Sequence, residues 1–279
     1  VSTTTSRRRI YGVDVSGAQD AGDHVWLASA TRRAETLVVE GCFPGRALPD
    51  SGTEREACLP ALRRFLAGAE DAVVGLDVPF GLPIELVDAD TWPAFAAAFP
   101  GDATGPGEWA EQCRDRAKAL DRDRVELKRA TEDATGAPFS PYNLRMQSST
   151  FYAIRDVLAP LVEEEAASVL PMQPPNPGQP WLLEACPAVT LDRLGLDGEG
   201  YKDDDEAARE RRVAILDALE AGPATLVPGV REAAIEQADG DALDAVLAAV
   251  GVTRALDRGE PVSPGTVDAR TRLEGKIYA

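Results

Sequence analysis

The 279-residue chain is 44% apolar with a net charge of −18, enough apolar content for one large globular domain or for a core carrying an insertion. No apolar run approaches the roughly 20 residues that span a bilayer, and Val1 to Ile10 is polar with no h-region, which reads as a cytoplasmic protein without membrane partners. Four dispersed cysteines without a C-x-x-C and a single histidine, His24, argue against a zinc site and against Ser-His or Cys-His catalysis.

The cations are 25 Arg and only four Lys (Lys118, Lys128, Lys202 and Lys276), a halophile-like balance beside 47 Asp and Glu. At about 1 M salt the Debye length falls to roughly 3 Å, so the acidic surface does not exclude a nucleic-acid substrate.

In chain order, Ile10 to Ser16, Val25 to Arg32 and Leu37 to Phe43 read as an antiparallel three-stranded meander, with His24 in the turn before the second strand. Thr53 and Glu56 form a capping-box pattern for a helix with Leu59, Leu62, Phe65 and Leu66 on its apolar face. Ala72 to Val78 then reads as a strand parallel to the first, reached through a crossover helix.

From Leu82 to Gln179 prolines, aromatics and charges dominate, which predicts a mainly helical insertion, a candidate substrate cap but not an independent domain. Trp92, Phe95 and Phe99 form a core stripe at helical spacing, and Arg114 to Arg129 and Ser149 to Val162 read as helices. Met172 to Pro180 reads as an extended entry to the strand Trp181 to Ala185. Lys202 to Leu219 reads as a helix with Asp203 to Glu206 in its first turn, and Asp241 to Val252 as an Ala- and Leu-rich helix. Residues 1–81 and 180–279 thus make an α/β core, a five-stranded mixed sheet flanked by helices.

Two strands share one pattern, Gly12-Val13-Asp14-Val15 and Gly75-Leu76-Asp77-Val78. An isolated buried carboxylate costs several kcal/mol, so each Asp requires a cation, donors or a solvent-lined cleft. Alternation puts Gly12, Asp14 and Ser16 on one face and Gly75 and Asp77 on the matching one, with the glycines leaving room for a ligand or metal. Glu184 adds an acid at a strand end. Asp241 and Asp244 lie three apart on one helix face, where Asp241 serves either the site or the helix N-terminus. Such an acid cluster suits Mg²⁺ or Mn²⁺, and two ions about 3.5–4 Å apart support phosphodiester cleavage without histidine.

Strand order and acid positions resemble the ribonuclease H-like superfamily. Within it the chain is similar to the domain-of-unknown-function family 429, predicted to be nucleases, through Tyr11 to Ala18, Gly75 to Pro83, Glu184 to Ala188, Asp241 to Ala245 and Glu274 to Tyr278. The resemblance implies Asp14, Asp77 and Asp244 as metal ligands, Glu184 and Asp241 as supporting catalytic acids, and nucleic acid as partner. Arg129 to Thr131 and Arg145 to Thr150 also match the family pattern. Arg129 and Arg145 are candidates for bidentate phosphate contacts, as Ser16 is for a substrate contact, with pairing to Glu132 or Asp133 the alternative for the arginines. Two other classes stay open: a binding protein that keeps the fold without turnover, and an actin-like phosphotransferase, which would need a second, duplicated domain. Substrate structure, the choice of DNA or RNA, and oligomeric state carry no sequence signal.

Overall fold

A computed structural model describes residues 7–34, 36–120 and 124–279. The chain opens with β1 (Arg9–Asp14), a short helix α1 (Ala21–His24), β2 (Trp26–Arg33) and β3 (Thr36–Pro44). β1, β2 and β3 pair antiparallel as the alternation predicts. The turn before β2 that holds His24 is a single turn of helix. Helix α2 (Arg55–Ala67) starts later than the Thr53 pattern suggests, and no side chain caps it. The backbone of Thr53 is committed elsewhere, because its carbonyl accepts the Gly22 N–H at 2.8 Å and ties α1 to this turn.

β4 (Val73–Asp77) lies parallel to β1 with Gly12 opposite Gly75 and Asp14 opposite Asp77. The two strands of the repeated pattern are thus neighbours in register.

The segment 82–179 is largely helical, with α3 (Trp92–Ala98), α4 (Pro106–Ala119), α5 (Ala130–Thr135), α6 (Gln147–Tyr152) and, after a π-helical turn over Ala153–Leu158, α7 (Ala159–Glu163). Trp92 and Phe95 are core residues, as their spacing predicts. The helix expected over 114–129 lies mostly upstream, opening with Pro106 in its first turn. Residues 121–123 fall outside the described residues, and the stretch after them is a loop held by the Leu127 N–H donating to the Tyr142 hydroxyl at 2.6 Å. The segment also supplies β5 (Ser168–Leu170), which pairs with β6 (Trp181–Ala185) in the main sheet.

After β6 come α8 (Pro187–Leu194) and α9 (Glu206–Glu220). Helix α9 begins four residues after Lys202, because Asp205 caps it by accepting the Ala208 N–H at 2.7 Å. Lys202 and Asp203 therefore lie in the preceding turn. The chain closes with β7 (Ala224–Leu226), α10 (Pro228–Glu236), α11 (Asp241–Asp257), α12 (Ala269–Glu274) and β8 (Ile277–Tyr278).

The sheet has eight strands rather than five, in the order β5-β6-β4-β1-β2-β3-β7, with β8 also pairing with β6. The additional strands are three residues long or shorter, too short for a periodic signal. One face, through Val13, Leu27, Leu76 and Leu182, packs on α2 and the 82–179 helices. The other, through Ile10, Ala28, Val73 and Leu183, packs on α9 and α11. No helix among the described residues is long and apolar enough to cross a membrane.

Candidate metal centre

The site is assembled by the two glycines. A Cβ on Gly12 would stand 1.9 Å from the Ala245 carbonyl oxygen and 2.5 Å from the Ala249 nitrogen, and one on Gly75 would stand 2.8 Å from the Ala248 carbonyl oxygen. The backbone of α11 therefore lies directly on β1 and β4. This corrects the expectation that the glycines leave room for a ligand: the helix fills that space, and the ligand-facing groups lie two residues further along each strand.

That close approach brings Asp244, in the first turn of α11 and fully buried, to the C-terminal ends of β1 and β4. One carboxylate oxygen from each of Asp14, Asp77 and Asp244 lies within 4.8 Å of the others. Strand C-termini are where open α/β sheets place ligands.

Burial, then repulsion from Asp244 and Asp77, holds the Asp14 carboxyl well above the usual range, with Asp241 adding to it. Burial and Asp244 likewise raise Asp77, with smaller contributions from Glu184 and Asp241. Neither the Asp14 nor the Asp77 carboxylate has a hydrogen bond or ion pair among the described residues. Converging hard oxygen donors with under-compensated charge fit a small divalent cation.

Asp244 is held from a third direction. The Tyr201 hydroxyl donates to its Oδ1 at 2.5 Å, and the Lys202 ammonium pairs with its Oδ2. Burial alone would lower the Lys202 pKa, but the three aspartates outweigh it and keep the ammonium charged. The Lys202 side chain is half-exposed while its ammonium reaches the buried carboxylate. Local patterning did not reveal Tyr201 and Lys202, because their partner lies more than forty residues away. The one available signal was a lysine in a chain with only four.

The remaining expected residues lie around this centre. Asp241 borders it without joining the three-oxygen cluster. Its Oδ2 lies 3.4 Å from His24 Nδ1 and accepts the Gln237 amide at 3.2 Å, and burial and then Asp244 raise its pKa. Ser16 accepts the Ala18 N–H at 3.2 Å.

Glu184 is paired with Leu76 across the strands, so its side chain points to the sheet face opposite the Asp cluster. There both of its oxygens meet the guanidinium of fully buried Arg129. Arg129 also binds Glu132 and donates to the Glu274 carbonyl at 2.9 Å. The pairing alternative for Arg129 is thus what the structure contains. Glu132 is raised by burial despite this partner.

A cleft of about 560 Å³ opens over these strand ends, lined by Asp77, Phe139, Arg145, Cys186, Lys202 and Ile277 among others. Arg145 is exposed at its rim, its guanidinium 5.3 Å from the Phe139 ring centre, with no ion pair among the described residues. Cys186 is a free thiol pushed up to about 12 by burial and neighbouring acids, which makes it a poor nucleophile at neutral pH.

The family model described as "Protein of unknown function (DUF429)" matches residues 12–269. The chain belongs to the DUF429 family. The match runs through β1, β4 and α11, so it includes all three aspartates of the DUF429 centre. No curated protein and no solved structure matches the chain.

Proposed function

We propose that this protein is a divalent-metal-dependent nuclease of ribonuclease H-like architecture that hydrolyses phosphodiester bonds. The observation that carries this reading is the convergence of Asp14, Asp77 and Asp244 within 4.8 Å beside an open cleft. Asp14, Asp77 and Asp244 would hold Mg²⁺ or Mn²⁺, which when bound supplies Lewis-acid charge to a phosphoryl oxygen and makes water a better nucleophile.

The chain's own residues contribute position and charge. The paired ends of β1 and β4 position Asp14 and Asp77, and α11 delivers Asp244 against them. Tyr201 and Lys202 orient Asp244. Arg145, without an acidic partner among the described residues, is an available cation at the rim for a backbone phosphate of a nucleic acid. With a net charge of −18, productive approach of a polyanion depends on such local cations and on screening.

The test is a cleavage panel of single-stranded, duplex, hybrid and branched DNA and RNA with Mn²⁺ or Mg²⁺, at low and at high salt. Wild type should cut at least one class only with metal, and Asp14→Asn should cut none while unfolding cooperatively as before. Cleavage undiminished in Asp14→Asn removes the proposal. Metal binding without any cleavage favours the binding-protein alternative.

A further inference from the structure

We propose that the Lys202 ammonium is a built-in cation of this centre, standing in for a second metal ion, so that the cluster takes one divalent ion and not two. The inference rests on the metal-site reading above and revises the two-ion expectation.

Charge is the first argument. The three ligand carboxylates and one ammonium leave two negative charges, three with Asp241 at the border, so a single divalent ion brings the site close to neutrality. A second ion about 3.5–4 Å from the first would bring a net positive charge into a partly buried site beside a fixed ammonium, where repulsion is poorly screened. Asp244 also retains capacity for only a limited set of partners, since each of its oxygens already accepts one donor.

The second argument is that Lys202 is anchored rather than adventitious. Its neighbour Tyr201 is buried and bonded to the other oxygen of the same carboxylate. The backbone beneath them is clamped by Arg212, a buried guanidinium that donates to the carbonyls of Tyr201 at 2.7 Å, Asp203 at 3.1 Å, Ala238 at 3.1 Å and Ile235 at 2.8 Å. One arginine thus fastens the Lys202 turn to the segment that leads into α11.

Gly240, at φ +81°, completes the seat. A Cβ there would stand 2.9 Å from the Tyr201 ring and 3.0 Å from Lys202 Cγ. The turn, its clamp and its seat place the ammonium against Asp244.

The experiment counts Mn²⁺ per chain by equilibrium dialysis and reads electron paramagnetic resonance of the bound ions, since two ions this close are magnetically coupled. Wild type and Lys202→Arg should each hold one uncoupled Mn²⁺, and Lys202→Met should hold two that are coupled. Two coupled ions in wild type or in Lys202→Arg overturn the inference and leave the metal-site reading standing. One ion in a folded Lys202→Met, bound more tightly than in wild type, also overturns it, because Lys202 is then only a competitor. No ion in wild type at millimolar Mn²⁺ overturns the inference and the metal-site reading together.

Discussion

Replacing Gly12 with alanine tests whether the glycines build the centre by admitting α11. The new Cβ would fall 1.9 Å from the Ala245 carbonyl oxygen, against a floor of 3.0 Å for real contacts, so the helix backbone must retreat locally by about 1.1 Å. Overpacking of this kind costs roughly 1–3 kcal/mol and sometimes more, and a clash with main chain on both sides belongs at the upper end, about 3 kcal/mol. The better strand propensity of Ala offsets only about 0.5–1 kcal/mol. The net cost is then about 2–2.5 kcal/mol, and at roughly 2–4 °C per kcal/mol Tm should fall by about 4–10 °C. Gly75→Ala is the internal comparison. Its Cβ meets the Ala248 carbonyl oxygen and Val252 Cγ1 at 2.8 Å, so a shift of a few tenths of an ångström suffices and the cost should be nearer 1 kcal/mol. Because Asp244 rides on α11, Gly12→Ala should also lose most of the rise in Tm expected of wild type with Mn²⁺. Scanning calorimetry with and without Mn²⁺ measures both effects. A Gly12→Ala protein within 2 °C of wild type, or one more stable than Gly75→Ala, would refute this account of how the site is assembled.

Two further outcomes follow from the charges. The raised carboxyls of Asp14 and Asp77 mean that the fold binds their protons more tightly than the unfolded chain does, a contribution present at low pH and lost as pH rises through the raised values. Metal-free wild type should therefore lose stability relative to Asp14→Asn as pH climbs from about 4 to neutrality, while the stabilisation by Mn²⁺ grows over the same window; a pH-independent difference between the two proteins would contradict this. Arg129→Met strands Glu132 and Glu184 as buried unpaired acids and should cost about 3–5 kcal/mol in a urea titration. Unchanged stability with weaker nucleic-acid binding would instead return Arg129 to the phosphate-contact role.

What the sequence disclosed and what it hid divide along the range of the interactions. Asp14 and Asp77 were legible because a period of two and a repeated G-h-D-V pattern are local, and the strands then pair in register. Glu184, placed only by its position at a strand end, carries no assignment of face. Alternation assigns a face only within a strand, and the pairing of Glu184 with Leu76 instead of Asp77 turns its side chain to the opposite face. The glycines show that a missing side chain is visible in a sequence, whereas the group that fills the gap is not. Thr53 kept a helix-capping pattern and lost that role to α1, a tertiary contact over thirty residues away. Tyr201 and Lys202 reach Asp244 across more than forty residues and belong to no periodic element, so nothing local marks them.

The division of charges between the two sheet faces explains why the Asp cluster stays under-compensated. Arg129 is among the most deeply buried cations of the chain and lies near the same strand ends, yet it meets Glu132 and Glu184 on the face away from α11. With that pairing held on the other side, Lys202 is the cation that enters the cluster among the described residues, and it engages Asp244 rather than Asp14 or Asp77. Asp244 tolerates full burial because it sits in the first turn of α11, where the helix dipole favours negative charge, and because two donors meet its oxygens. Asp14 and Asp77 have neither support. Their carboxylates, without a partner among the described residues, cost stability in the metal-free fold and leave a demand for a cation beside the cleft that Asp77 lines.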